Sequence, residues 1–495
     1  MPGEKTSIKS PKEEFPFHPR IINPVKIKNA VIFSADEHIR QTQSILEKEM
    51  PWISVEILSD PISVDNYKSE GATIFILDDV AMNLVHPEPV KQRNKDSVFA
   101  LLSANEFIHC SPPSAAQDKF PYTRKADLVF AYNKTDCAPE RIIQSIVRSA
   151  EDLINITSYA TVRRFIFLLM DDEPRWTSQF LPILYGIIGQ RAAVMIARTY
   201  EESLKFVFGV EEESEIDANQ YRSHGHGDDV VCLITDIFFP MGDNLKSDSG
   251  KNLIRLVQKY YPRIRIIIAS KTKEAEAYKK TAFILPKGDP DSLNTLQSYI
   301  QDHTGIGDFL IRNKNGDMLF RIKNIQQMIE VLNQAEKNTP EAQRLRKILE
   351  IYGENDYFST WLYMHSFREL GDVLRPMRAE GRKMVTVLKE HMNNEILKME
   401  TTPLIIDNKK AYNLKDLLEL LKISDPSKIQ SLSDNDIFSS WLDRKGYSEL
   451  AEELRPVHGT GKRLADTLTS IVKKWTIIYS QGSQKPFRSG LKILE

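Results

Sequence analysis

The chain has 495 residues, too many for one ordinary core, and that length suggests roughly three or four domains. Its composition, 41% hydrophobic and 27% charged with a formal net charge of −2, is that of a soluble globular protein and gives no general electrostatic attraction for nucleic acid or a membrane surface. Cys110, Cys137 and Cys232 are odd in number, far apart and without metal-site spacing, which argues against a disulfide framework or zinc site and for a reducing cytoplasm.

Residues 1–26, beginning MPGEKTSIKSPKEEFPFHPR, are polar and punctuated by proline, so they read as a flexible arm. They contain no apolar h-region, and no later stretch approaches the length of a membrane span.

From 27 to 153 short runs rich in β-branched and aromatic residues alternate with helix-compatible stretches such as HIRQTQSILEKEM. The runs are NAVIFSADEH, ATIFILDDVA, SVFALLSANEF and ADLVFAYNKTD. This pattern predicts βα units and a parallel sheet buried on both faces. In such sheets functional groups gather at the carboxyl ends of the strands. Asp36 and Glu37, Asp78 and Asp79, Ser103, and Lys134 are the polar residues expected at those ends. A proline-bearing insertion, HCSPPSAAQDKFPY, separates the last two strands, and PERIIQSIVRSAEDLINITSYATV predicts a helix running on into the next segment.

The pattern repeats over 161–305 with RRFIFLLMDDEP, DVVCLITDIFFP, RIRIIIASK and TAFILPKG. Here the strand ends carry Asp171 and Asp172, then Asp236, Ser270 and Lys287. Hard oxygen ligands of this kind suit Mg2+, which bridges to phosphate oxygens. A carboxylate beside such an ion can attack a phosphoryl group while an ammonium and a hydroxyl hold the phosphate oxygens. The plainer alternative is an aspartate that merely caps the segment after it.

These residues resemble the receiver domain of two-component response regulators, with segment 163–303 covering a full domain. The resemblance implies a phosphoacceptor at Asp236, Mg2+ held by Asp171 and Asp172 together with Asp236, and Ser270 and Lys287 on the phosphoryl group. Several features depart from that family. EEESEIDANQYRSHGHGDD and DNLKSDSG are insertions, the span from Ser270 to Lys287 is short, Gly288 replaces a proline, and Ile284 stands where a switch aromatic belongs. The first series resembles a more divergent receiver or pseudo-receiver. There Asp78 would be the acceptor, Asp36 the remaining metal carboxylate, and Ser103 and Lys134 the phosphoryl ligands. Ala35 is read as replacing the first acidic residue. The fold class expected is thus α/β: two flavodoxin-like (βα)5 domains with parallel doubly wound sheets, then two small, mostly helical repeats.

Those repeats begin after residue 305. NDYFSTWLYMHSFRELGDVLRPM at 355–377 returns without gaps as NDIFSSWLDRKGYSELAEELRPV at 435–457, which indicates a duplicated helical module. The copies are placed at 306–396 and 401–478, each opening with a hairpin (FLIRNKNGDMLFRI, PLIIDNKKAY) and a helix. Trp361 and Trp441 are expected in the core, and Arg375 and Arg455 beside acids such as Glu369 and Glu449. The order receiver, hairpin, F-S-x-W-L and L-R-P, over roughly 160–380, is similar to the regulatory half of some phosphoenolpyruvate-synthase-like proteins. No nucleotide-grasping or phosphohistidine region follows it in this sequence, so that activity does not carry over.

HGTGKRL at 458–464 lacks the pattern and preceding strand of a phosphate loop, HGHGDD at 224–229 reads as a solvated loop, and the basic stretches are interleaved with acids. The tail, 479–495, is polar. The expectation is a cytoplasmic signal-transduction protein, not an enzyme. Its cofactor would be Mg2+ and its partners a histidine kinase or phosphotransfer protein and a downstream protein. A homodimer is compatible with it; nucleic acid and membrane insertion are not expected. The alternatives are a constitutive scaffold of pseudo-receivers, or a detached regulatory subunit of a phosphoenolpyruvate-utilising enzyme.

Overall fold

The computed structural model describes residues 25–480 except 69, 111–118, 134–137, 159–164, 190, 218–224, 243, 263, 290, 316, 355–356, 366, 376–378, 436, 456 and 458. The N-terminal arm up to residue 24, Lys134, Cys137, the tail from 481 and the prolines of both L-R-P motifs lie outside the described residues. The chain parts into two compact units, residues 25–299 and the described residues from 300 onward.

In the first unit, β1 (Asn29–Phe33), β2 (Ser54–Ile57), β3 (Thr73–Leu77), β4 (Ser97–Ser103) and β5 (Leu128–Ala131) form one parallel sheet in the order β2-β1-β3-β4-β5. Around it lie α1 (Glu37–Glu49), α2 (Pro61–Asp65), α3 (Asp79–Leu84), α4 (Pro87–Arg93) and α5 (Pro139–Ser158). Every residue of β3, TIFIL, and of β4, SVFALLS, is buried, because helices cover both faces of a parallel sheet. Phe75 and Phe99 are register partners whose rings stack at 4.5 Å.

The second sheet contains β6 (Ile166–Met170), β7 (Ala193–Ala197), β8 (Val230–Thr235), β11 (Arg265–Ser270) and β12 (Phe283–Pro286), in the order β12-β11-β8-β6-β7. Counted along the chain, this is the same 2-1-3-4-5 order as the first. Its helices are α6 (Pro174–Ile188), α7 (Tyr200–Phe208), α8 (Ser249–Tyr260) and α9 (Ser292–His303). The insertion after Asp236 forms a two-stranded antiparallel ribbon, β9 (Phe239–Met241) and β10 (Asn244–Ser247). Between β11 and β12 the chain forms a 3-10 turn, Lys273–Tyr278.

Polar side chains join the two sheets along their edges. Asp152 on α5 accepts hydrogen bonds from Tyr185 Oη (2.9 Å) and from the β7 amide of Val194 (2.8 Å). In return, Ser178 Oγ on α6 accepts the β5 amide of Ala131 at 3.1 Å. Edge amides that could template another strand are thereby capped. Farther along the same helix, Glu151 and Asn155 accept the amides of Ile27 and Val25, so α5 ties the start of the first sheet to the second.

The second unit spans both stretches of repeated sequence, and a hairpin followed by five helices occurs in it twice. Copy one comprises the hairpin β13 (Phe309–Arg312) and β14 (Met318–Ile322), then α10 (Ile325–Ala335), α11 (Pro340–Glu354), α12 (Tyr357–Met364), α13 (Arg368–Leu374) and α14 (Gly381–Thr401). Copy two comprises β15 (Leu404–Ile406), β16 (Lys409–Ala411), α15 (Leu414–Ile423), α16 (Pro426–Asp434), α17 (Ile437–Arg444), α18 (Ser448–Leu454) and α19 (Gly461–Ser480). Asn324 and Asn413 cap corresponding helices, and Gly381 and Gly461 both adopt positive φ at the start of the last one. Trp361 and Trp441 are each 1% exposed, so they are core residues.

Arg455 pairs with nearby acids, as expected, though with others than Glu449. Arg455 meets Asp443 (3.3 Å) and Glu452 (2.9 Å), while Glu449 faces Lys323 at 3.7 Å. Arg375 lies over the ring of Tyr363, the residue matching Asp443, with its guanidinium 4.9 Å from the centroid. Where copy two sets the Asp443 carboxylate beside its arginine, copy one sets the Tyr363 ring. Among the described residues no helix is long and apolar enough to cross a membrane.

Candidate functional site: the carboxyl end of the second sheet

Met170 and Thr235 are register partners on adjacent parallel strands, so the next residues, Asp171 and Asp236, leave the sheet side by side. One strand over, β11 ends at Ser270, whose carbonyl accepts the Lys287 amide at 3.1 Å. Four strand ends therefore converge. Lys287 Nζ is 2.6 Å from both Asp171 Oδ2 and Asp236 Oδ2, and Ser270 Oγ donates to Asp236 Oδ1 at 2.7 Å. The Ile237 amide also donates to Asp236 Oδ1, at 2.6 Å. Gly250 at the start of α8 permits this packing: a Cβ there would sit 2.2 Å from the Asp236 carbonyl oxygen.

The side chains of Lys287 and Asp171 are 1% and 2% exposed, whereas Asp236 retains 16% and so faces the opening. Burial pushes the Asp171 carboxyl up to about 7, with Lys287 opposing the shift and Asp236 and Asp172 adding to it. For Lys287 burial works against the ammonium, but Asp171 and Asp236 outweigh it and hold its pKa above the ordinary lysine range. Burial likewise raises Asp172, against the pull of His109.

Other side chains, from both sheets, border this pocket. Glu173 accepts from Arg175 Nη2 (2.6 Å) and Trp176 Nε1 (2.9 Å). Beside the Trp176 ring stand Lys271 and Lys287, with Nζ atoms 4.9 and 5.5 Å from its centroid. His109, from the loop after β4 in the first sheet, puts Nδ1 3.7 Å from Asp172 Oδ2. Sequence adjacency to the DDE run could have flagged Arg175 and Trp176; nothing local could have flagged His109.

As the side chains lie, no group of three or more His, Cys, Asp or Glu among the described residues is arranged to hold a metal ion. The Lys287 ammonium stands between Asp171 and Asp236. The donor set itself, Asp171, Asp172 and Asp236, fits a hard divalent cation if the carboxylates turn from Lys287.

The end of the first sheet has the same framework and different chemistry. Phe33 pairs with Leu77, so Ser34 takes the place of Asp171, Ala35 that of Asp172, and Asp36 that of Glu173. The acidic residue missing from the first place is thus replaced by Ser34. Asp78 matches Asp236, but Oδ2 accepts from Ser34 Oγ (2.6 Å) and the Ala35 amide (2.9 Å), and Oδ1 caps α3 by accepting from the Ala81 amide (2.7 Å). Ser103 Oγ donates to Asp79 rather than Asp78, at 2.8 Å, and Tyr122 Oη donates to the other Asp79 oxygen at 2.9 Å.

The place of Lys287 belongs to Tyr132, whose amide donates to the Ser103 carbonyl at 2.9 Å as that of Lys287 does to Ser270, while Lys134, expected there, lies outside the described residues. Burial and the neighbouring Asp36 push the Tyr132 phenol up, so it stays protonated and donates to Asp36. Asp36, expected as a metal carboxylate, also caps α1 by accepting the His38 amide at 2.8 Å.

No family model matches this chain, and no curated protein matches it. Among solved structures it is similar to a probable two-component system response regulator/GGDEF domain protein, at 15% identity and TM-score 0.23, over 55% of this chain and 97% of that one. It is also similar to a putative sugar binding protein from Salmonella typhimurium LT2 (11%, TM-score 0.17, 55% and 86%). A putative phosphosugar isomerase from Bacillus subtilis matches at 10%, TM-score 0.18, 56% and 83%. Likenesses at these TM-scores carry no argument about what the chain does.

Proposed function

We propose that residues 25–299 are two flavodoxin-like receiver domains in tandem, and that the second accepts a phosphoryl group on Asp236. The 2-1-3-4-5 strand order in both sheets supports the fold reading. One observation carries the function: Asp236 stands between the ammonium of Lys287 (2.6 Å) and the hydroxyl of Ser270 (2.7 Å) at a partly open strand end.

In the proposed step a carboxylate oxygen of Asp236 attacks the phosphorus of a phosphohistidine or of a small acyl phosphate. The bond to the donor's leaving group breaks, and an acyl phosphate forms on Asp236. Lys287 and Ser270 then hold phosphoryl oxygens instead of the carboxylate, which puts positive charge where negative charge develops. Asp171 and Asp172, with Asp236, would hold Mg2+, which when bound neutralises phosphoryl oxygens. The added charge biases a two-state surface read by a downstream protein, with no metabolite turned over and no nucleic acid involved. A histidine kinase, a phosphotransfer protein or a small acyl phosphate is a donor compatible with this chemistry.

For the first sheet the scaffold reading is favoured, because Ser34 and Tyr132 stand beside Asp78 where the second sheet sets Asp171 and Lys287 beside Asp236. The test is intact-mass spectrometry after incubation with acetyl phosphate and Mg2+. The expected result is one phosphoryl adduct on wild type and none on Asp236→Ala; an adduct that persists in Asp236→Ala refutes the assignment.

A further inference from the structure

The acidic pocket of the second sheet is walled in part by the first. The loop from Ser103 to Cys110 starts at the end of β4, where Ser103 Oγ donates to Asp79 and accepts the Asn105 amide at 3.0 Å. Asn105 turns the loop: its side chain accepts the Phe107 amide at 3.0 Å and its carbonyl the Ile108 amide at 3.1 Å. The loop then reaches the other sheet. The Cys110 amide donates to the Asp172 carbonyl at 3.0 Å, and the His109 ring lies 3.7 Å from the Asp172 carboxylate.

That far end is fixed. Cys110 is 4% exposed, and its thiol is pushed up to about 12 by burial beside Arg198. Arg198, at the end of β7, donates to the Ala126 carbonyl of the first sheet at 3.2 Å. Asp172 is thus held through main chain and side chain by a loop that no part of its own sheet supplies.

We propose that this loop is a working part of the second site, with His109 a positioning residue that aims the Asp172 carboxylate at the cation. This rests on the reading of that site as one that takes Mg2+. A neighbour that holds a ligating carboxylate fixes its orientation before the ion arrives, and losing such a neighbour typically weakens metal binding about 10- to 100-fold. At 3.7 Å the His109 ring packs beside the Asp172 carboxylate, longer than a hydrogen bond, so its effect is on where that carboxylate points. The first sheet then serves as a subunit of the second site, which explains a place for a domain whose own Asp78 is engaged as a cap.

The experiment is Mg2+ titration of the full chain by calorimetry, with the rate of adduct formation from acetyl phosphate measured alongside. The His109 side chain is 46% exposed, so His109→Leu leaves the core intact, and a thermal melt checks this. His109→Leu is expected to raise the Mg2+ Kd about tenfold. His109→Gln, which keeps a donor, is expected to stay within about threefold of wild type, and the rate of His109→Leu to recover at saturating Mg2+. A His109→Leu Kd equal to or tighter than wild type, with wild type binding Mg2+ and gaining the adduct, overturns this inference alone. A wild type that does neither overturns the reading of the site and the inference with it.

Discussion

Asp236 and Asp78 occupy one place in two copies of the same framework. Each is the first residue past the third strand of its sheet, beside the residue that follows the first strand. Around Asp236 that neighbour is another carboxylate, and a lysine bridges the two at 2.6 Å. Around Asp78 the neighbour is Ser34 and the lysine's place is held by Tyr132. The difference teaches what an aspartate at a strand end does by default. With amide and hydroxyl donors alone it caps the next helix; with a second acid and a buried cation it becomes half of a charged pocket, open to solvent on one side.

The strongest way to break this comparison is at the cation. Lys287→Ala leaves Asp171 and Asp236 facing each other without a counter-charge and removes the group proposed to hold phosphoryl oxygens. Adduct formation from acetyl phosphate is expected to fall by about 100-fold or more, read by intact mass over time. Tyr132→Phe, at the same place in the first sheet, is expected to leave that rate unchanged. Equal effects from both would end the distinction between the sheets.

A smaller effect is expected at the cap. Asp78→Ala frees the donors of Ser34, Ala35 and Ala81, and should cost about 1–3 kcal/mol of stability by denaturant unfolding while leaving the adduct in place. If it abolishes the adduct, the first sheet is part of the chemistry rather than its support.

The smallest concerns pH. The folded-state pKa of Asp171 is raised to about 7, above the unfolded value of about 3.9. The folded protein then keeps a proton there that the unfolded chain has released, so this contribution to stability is fully present below the unfolded value and lost as pH rises through about 7. Lys287 is charged throughout that window and does not reverse the sign. Without Mg2+ the unfolding midpoint should fall between pH 5 and pH 8, and this slope should shrink in Asp171→Asn. A slope unchanged in Asp171→Asn assigns the effect to other groups.

The repeated apolar runs disclosed four strands of each sheet, because strands buried on two faces read as continuous hydrophobic stretches; β2, which is only partly buried, and β7 were not among them. The polar residue ending each run disclosed Asp171, Asp236, Ser270 and Lys287 as neighbours. Register was less legible. In the first sheet the sequence offers the basic Lys134 as the counterpart of Lys287, whereas the residue paired with Ser103 as Lys287 is with Ser270 is Tyr132. Tyr132 gives no such signal until its amide is seen on the Ser103 carbonyl. Likewise, Asp36 looks like a metal acid in a one-dimensional string and proves to be a helix cap. The joint between the sheets, built from Asp152, Ser178 and His109, depends on contacts between distant segments that no local pattern encodes.

The most direct test maps the modified residue. After incubation with acetyl phosphate and Mg2+, the acyl phosphate is trapped by borohydride reduction, which converts the modified aspartate to homoserine, and the peptides are sequenced by mass spectrometry. The account predicts homoserine at position 236 and unmodified aspartate at position 78. Homoserine at 78, or at both positions alike, would contradict it.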